Sequence, residues 1–346
     1  MFANSAPEDV CLVRLSAIGD TCHALAVVRN LQDNWPDARI TWVIGKTEAT
    51  LMGDIPDVEF ITFDKSKGLR AYADVRRQLR GRRFDVALCM HASTRANILC
   101  HLISAPHKIG FDKARARDFQ WLFTNQQIPA ARGEHALQAM MGFARYIGAG
   151  ATDLRWDVPI GEAERRFASE RIASPCVVIS PCSSQRSGNF RNWPVDNYVA
   201  IAQHLRDRYQ AGIVLTGGNS AVEHDYAETV TAATSATNLI GQTTLKQLFA
   251  LLAAADLVIC PDSGPAHLAT AAGTPVVGLY ATSNPARTGP YLSEPLTVNR
   301  YPDAVRRYLG KSVDDVRWGR RVRHPDAMAL ITVDDVIGKI SDVLGK

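Results

Sequence analysis

The stretch DLVICPDSGPAHLATAAGTPVVGLYA, residues 256–281, decides the fold. Leu257 to Cys260 is a short apolar run of strand length, and Pro261-Asp262-Ser263-Gly264 is turn chemistry. Pro265 opens a helix at a first-turn position, and Pro275 to Ala281 is apolar and strand-like again. Strand, turn, helix, strand is the unit of a parallel, doubly wound sheet, whose ligands lie at the carboxyl ends of the strands. Asp262 or Ser263 is the expected cap of this helix, and Gly264 lets the backbone approach a ligand. The exposed N–H groups and the dipole at such a helix start favour a diphosphate, with His267 on the first turn to add a hydrogen bond. The plain alternative is a capped helix carrying a structural histidine.

The same grammar spreads outward. CVVISP (176–181), GIVLTGG (212–218) and NLIG (238–241) read as further strands with helices between them. The first half repeats the pattern with VCLVRL (10–15), ARITWVI (38–44), VEFITF (58–63) and FDVALCM (84–90). The reading is therefore α/β, with two Rossmann-like doubly wound parallel-sheet domains facing across a cleft. A charged segment at 152–173, with Pro159 and Gly161, reads as the linker. The expected boundaries are 1–160 and 174–330, with 331–346 as a closing helix folded back onto the first domain.

Three further loops carry candidate chemistry. CSSQRSGNFRNW (182–193) again lies between a strand and a helix, offering the Ser183 and Ser184 hydroxyls and the Arg191 cation. Two phosphate-friendly helix starts in one domain point to a nucleotide diphosphate. Glu223, beyond the Gly217-Gly218 turn, is either a carboxylate for ribose hydroxyls or a residue that favours its own helix start. In the first half, Ser16-Ala17-Ile18-Gly19-Asp20 lacks both G-x-G-x-x-G and the P-loop pattern, which disfavours dehydrogenases and P-loop enzymes. Asp20 stands at a helix start, either as a capping acid or as a general base for an acceptor hydroxyl. No D-x-D triplet occurs, so helix ends and Arg191 must neutralise a diphosphate in place of a metal.

Bulk properties fit this picture. The 346 residues suffice for two domains, and 46% hydrophobic with 21% charged residues is ordinary for a globular chain. No run of about 18 apolar residues occurs, and the start lacks a signal-peptide pattern, so the expectation is cytoplasmic. Seven scattered cysteines without C-x-x-C read as core residues, not as disulfides or zinc ligands. The net charge of +4 identifies no partner, and no nucleic-acid-binding motif accompanies the clusters at Arg76–Arg83 and Lys113–Arg117.

RLSAIGDTCHAL (14–25), the loop ending FRNWP (190–194) and PDSGPAHLATAAGTPVVGLYATSNP (261–285) together resemble glycosyltransferase family 9, the bacterial heptosyltransferases of lipopolysaccharide core synthesis. The resemblance spans nearly the whole chain and implies the GT-B fold, with an acceptor site in the first domain and a donor site in the second. It implies inverting, metal-independent transfer of L-glycero-D-manno-heptose from ADP-heptose, the ADP-sugar being a co-substrate and no cofactor being needed. The family's catalytic aspartate falls on Asp20. Its donor-binding residues fall on Ser183, Ser184, Arg191, Asp262, Ser263, Gly264 and His267, with Glu223 beside them; family members often carry Lys where Arg191 stands. IGFDKARARDFQWLF (109–123) is similar to the acceptor-side loop of heptosyltransferases acting on Kdo. Acceptor contacts are accordingly expected from Ser16, Gly19, Arg95, Lys113, Arg115 and Arg117, toward a Kdo-lipid A acceptor with or without a phosphate. Phe119, Trp121 and Phe123 read as core residues, with a lipid-facing role as the alternative. Transient contact with the inner membrane follows from a lipid acceptor. Three rivals stand beside this reading: a GT-B transferase for another nucleotide sugar, a GT-B-like sugar-nucleotide epimerase, and a silent binding module.

Overall fold

The computed structural model describes residues 1–2, 5–184 and 188–345. The chain forms two compact units, Met1–Pro159 and Ile160–Lys346. The first contains six parallel strands, β1 (Asp9–Val13), β2 (Arg39–Gly45), β3 (Val58–Phe63), β4 (Val86–Leu88), β5 (His107–Gly110) and β6 (Gln126–Gln127), in the order β3-β2-β1-β4-β5-β6. The second contains β7 (Cys176–Ile179), β8 (Gly212–Leu215), β9 (Thr237–Asn238), β10 (Leu257–Pro261), β11 (Val276–Tyr280) and β12 (Val298–Asn299), in the order β12-β11-β10-β7-β8-β9. Counted from its own first strand, each sheet has the same 3-2-1-4-5-6 order, which is the Rossmann winding. The order reverses between β1 and β4 in one sheet and between β7 and β10 in the other. The loops leaving those four strands are where such a sheet receives a ligand.

The central strands β1, β2, β4, β7, β10 and β11 are almost wholly buried on both faces, which is why they read as continuous apolar runs and not as alternating ones. In the first unit Val13, Val43, Ile61, Phe84, Ala87 and Leu99 share one core. In the second, Val177, Ile259, Val277, Trp193, Tyr198 and Ile201 share another. All seven cysteines are buried and free, as core residues.

Two expectations about segmentation need correction. Glu162–Ser169, inside the expected linker, is a helix that packs on the Leu245–Ala254 helix and belongs to the second unit. The closing helix, Val333–Leu344, also belongs to the second unit instead of folding onto the first. Val336 and Ile340 are fully buried in the second core, and the Trp193 indole N–H donates to the Ile331 carbonyl at 3.0 Å. That apolar stripe at helical spacing is satisfied locally. No helix among the described residues is long and apolar enough to cross a membrane.

Candidate active site

In the second unit, the loops leaving β7 and β10 come together through Arg191. Its Nη1 donates to the Asp262 carbonyl at 2.6 Å and to the Asp262 carboxylate at 3.1 Å. Its Nε donates to Asn189 Oδ1 at 2.6 Å, and Nη2 reaches Ser184 Oγ at 3.5 Å. Asn189 Nδ2 in turn donates to Ser183 Oγ at 2.7 Å, and Ser183 N–H donates to Asn192 Oδ1 at 2.9 Å. Ser183, Ser184, Arg191 and Asp262 therefore form one connected set. Residues 185–187 of the same loop lie outside the described residues.

Asp262 and Ser263 follow β10, and the Gly264–Ala272 helix starts there with Pro265 in its first turn. Neither expected cap forms. Ser263 occupies the N-cap, yet its hydroxyl turns back to the Pro261 carbonyl at 3.0 Å, while Asp262 is held by Arg191. With no side-chain cap, the helix start keeps its backbone N–H donors and positive dipole end for another acceptor. Gly264 and His267 are partly buried at this end.

Glu223 closes a capping box at the Ala221–Ala233 helix. Its carboxylate accepts from Gly218 N–H at 2.6 Å, Ser220 N–H at 3.1 Å and Ser220 Oγ at 2.6 Å. Of the two readings of Glu223, the structure shows the helix-start one, and three donors fix its orientation.

The sequence reading missed three arginines at this end of the sheet. Val322 N–H donates to the Thr282 carbonyl at 2.9 Å, tying the segment WGRRVR (318–323) to the loop leaving β11. Burial and then the neighbouring Arg191, with Arg287 and Arg323 adding, push Arg321 below its usual pKa, while Asp262 works against them. Arg191, Arg287 and Arg323 all act on Arg321, so positive charge is in excess here, which favours a polyanion. The RWGRRVR run was the available signal.

In the first unit, β1 ends at Val13, and Arg14 and Leu15 are the buried side chains that follow it before the turn. Its guanidinium pairs with the Asp20 carboxylate; Arg14 is 9% exposed and Asp20 41%. Arg14 Nη1 also donates to the Met90 carbonyl at 2.7 Å, crossing to the loop after β4. In the Ile18–Asn34 helix Gly19 and Asp20 lie in the first turn, and Asp20 accepts from Ala17 N–H at 3.4 Å. Ser16 sits in the connecting turn.

His91, in the loop after β4, was also missed. Leu15 N–H donates to its Nδ1 at 3.2 Å, so a neutral ring carries its proton on Nε2. Burial, and then the Arg14 charge, pull its pKa down from 6.5 to about 4. A charged residue closing an apolar run, in VCLVRL and in FDVALCMH, was the signal for both Arg14 and His91. The depressed pKa predicts a pH effect. Below pH 6.5 the unfolded chain protonates His91 while the folded chain does not, so stability declines as pH falls and levels off near pH 4. The loss is on the order of 3 kcal/mol. Denaturant unfolding across this range should show a shallower decline in His91→Gln; equal slopes would assign the effect to other groups.

The expected acceptor residues divide. Arg95 is exposed beside this cluster, and its charge, like that of Asp118, is felt by His91. Lys113 and Arg117 are exposed after β5. Arg115 is not available: it pairs with Asp112, donates to Glu134 at 2.7 Å and to the Pro129 carbonyl at 2.6 Å. Two carboxylates within reach turn it into a staple of the loop. Phe119 and Trp121, expected in the core, are exposed, and Phe123 is half-buried. Among the described residues no three His, Cys, Asp or Glu side chains gather as a metal site.

Two Rossmann-type sheets of this winding are those of the GT-B fold. The model of glycosyltransferase family 9 (heptosyltransferase) matches residues 72–305. The lipopolysaccharide core heptosyltransferase OpsX of Haemophilus influenzae is 38% identical over 339 residues, covering 97% of this chain and 96% of that protein. The crystal structure of a glycosyl transferase family 9 protein from Veillonella parvula superposes with a TM-score of 0.79 at 20% identity, covering 99% and 98% of the two chains. The Escherichia coli heptosyltransferase WaaC with ADP gives 0.73 at 18% identity, covering 96% and 99%. The chain belongs to glycosyltransferase family 9.

Proposed function

We propose that the protein transfers L-glycero-D-manno-heptose from ADP-heptose to the Kdo region of the lipopolysaccharide inner core, with inversion and without a metal. Family membership and the 38% identity to an enzyme of the lipopolysaccharide core support the sugar and the pathway. The observation that carries the donor site is the uncapped start of the Gly264–Ala272 helix beside Arg191. The first unit takes the acceptor and the second the donor. The protein works in the cytoplasm, at the inner-membrane face where a Kdo-lipid A acceptor is presented.

The chemistry is a single displacement. Asp20 accepts the proton of the acceptor hydroxyl as that oxygen attacks the anomeric carbon from the side opposite the nucleotide. The bond from the anomeric carbon to the diphosphate oxygen breaks, and ADP leaves with the electron pair. Arg191 and the N–H groups at the helix start meet that developing charge as fixed donors; Pro265 contributes none, having no N–H. Asp262 holds Arg191 in place, Ser183 and Ser184 offer hydroxyls to the phosphates, and His267 adds a further donor. Glu223 retains lone pairs for the ribose hydroxyls. Arg95, Lys113 and Arg117 provide cations for the Kdo carboxylate or a phosphate on it, next to Ser16 and Gly19.

Mass spectrometry of Kdo-lipid A, with and without a Kdo phosphate, incubated with ADP-heptose in EDTA tests all of this. One added heptose is expected. ADP binding without an added mass would move the acceptor elsewhere, and neither binding nor transfer would send the donor to another nucleotide sugar.

A further inference from the structure

The turn after β5 is built against the ordinary preferences of its residues. Asp118 and Phe119 both lie in the left-handed region, at φ of 51° and 57°. Two consecutive non-glycine residues there are uncommon, and such strain persists only where the surroundings impose it. The surroundings do impose it. The Asp118 carboxylate accepts from Thr94 N–H at 2.9 Å and from the Thr94 hydroxyl at 3.0 Å, and Asn97 Nδ2 donates to the Asp118 carbonyl at 2.8 Å. Gln120 is fully buried beneath the turn, accepting from Phe111 N–H at 3.1 Å and donating to the Cys89 carbonyl at 2.8 Å.

This scaffold buries the glutamine and holds apolar side chains out in water. Phe119 is 65% exposed, Leu122 72% and Trp121 44%, with Ile98 of the neighbouring helix at 37%. The Phe119 and Trp121 rings touch edge to face at 5.4 Å, so the residues form a knob and are not scattered singly. Lys113, Arg117 and Arg95 are exposed on the same loop and the neighbouring helix, while Asp118 is engaged by Thr94 and Asp112 by Arg115.

We propose that the Phe119–Leu122 turn is a membrane-docking knob for an anionic bilayer. Its aromatic and leucine side chains enter the headgroup boundary, and these exposed cations meet lipid phosphates. The biological reason rests on the lipid-linked acceptor proposed above, but the docking itself requires neither acceptor nor nucleotide. A rigid turn suits this role, because a preorganised knob loses little further freedom when it inserts.

The experiment is co-sedimentation of the full chain with vesicles containing phosphatidylglycerol, against vesicles of phosphatidylcholine alone. The wild-type chain partitions onto the anionic vesicles, and the triple change Phe119→Ser, Trp121→Ser, Leu122→Ser lowers that partition at least tenfold or so. Its melting temperature and ADP affinity stay at the wild-type values. Trp121→Phe keeps the partition but loses the fluorescence quenching that brominated acyl chains cause in the wild type. Equal binding by the triple variant, or no binding by the wild type, overturns the proposal. So does a concentration-dependent dimer that the same changes dissolve without affecting vesicles. Vesicle binding that survives alongside absent heptosyl transfer supports the knob and counts against the acceptor reading alone.

Discussion

Asp20→Asn lowers kcat by about 10²–10⁴-fold while leaving ADP affinity within about twofold of the wild type. Asparagine is the informative replacement because Asp20 pairs with Arg14 and is also the proposed base. Its carboxylate pairs with Arg14, whose guanidinium is almost buried and otherwise reaches the Met90 carbonyl. Alanine would strip that charge of its partner and confuse folding with chemistry. Asparagine still accepts from Ala17 N–H and from Arg14, so the expected stability loss is modest, about 1–2 kcal/mol after allowing for the exposure of Asp20. What it cannot do is take a proton from a hydroxyl. Steady-state kinetics, ADP titration and thermal melting separate the two jobs. A normal kcat with a lowered melting temperature would leave Asp20 as the counter-charge of Arg14 and nothing more. ADP affinity is the internal control, since the donor residues are carried by the second unit.

The pairing of Arg14 with Asp20 also shows where sequence reading stops. Motif spacing identified Asp20, and the strand-turn-helix pattern at 256–281 identified the turn after β10, because both depend on chemistry within a few residues. The wider setting of each came from elsewhere in the chain. Arg14 looked like part of an apolar strand, and its functional setting depends on Met90 and His91, more than seventy residues away. Arg115 and Lys113 are indistinguishable by composition, yet Glu134 and Asp112 claim one and leave the other exposed. Phe119 and Trp121 read as core because aromatic residues usually are; two left-handed residues, set by Asp118 capping a distant helix, turned them outward. The sheet order was similarly beyond the pattern. β6 and β12 are two residues long, too short to leave a periodic signal, and each closes one edge of its sheet.

Arg191 is the second site where one side chain is proposed to serve both fold and chemistry. Arg191→Ala is expected to weaken ADP binding about 10- to 100-fold, through the loss of charge-assisted bonds to the diphosphate, and to lower kcat/KM by about 10²–10³-fold. It also leaves the Asp262 carboxylate, 6% exposed, without its counter-charge, so the melting temperature falls as well. A structural staple would produce the same melting result, because Arg191 also ties Asn189 to the turn after β10. The double change Arg191→Ala with Asp262→Asn resolves the ambiguity. Removing the stranded carboxylate should restore most of the stability in either case. If Arg191 binds the diphosphate, ADP affinity stays low in the double variant, since no cation has returned. If Arg191 serves only to neutralise Asp262, affinity recovers along with stability. Arg191→Lys should fall between these limits, about tenfold down in kcat/KM, because an ammonium keeps the charge but cannot match the planar fork that engages Asn189 and Asp262 together. Family members with lysine at this position would then need a different partner for the carboxylate after β10, and the same double-variant cycle in such an enzyme should show weaker coupling between the two residues.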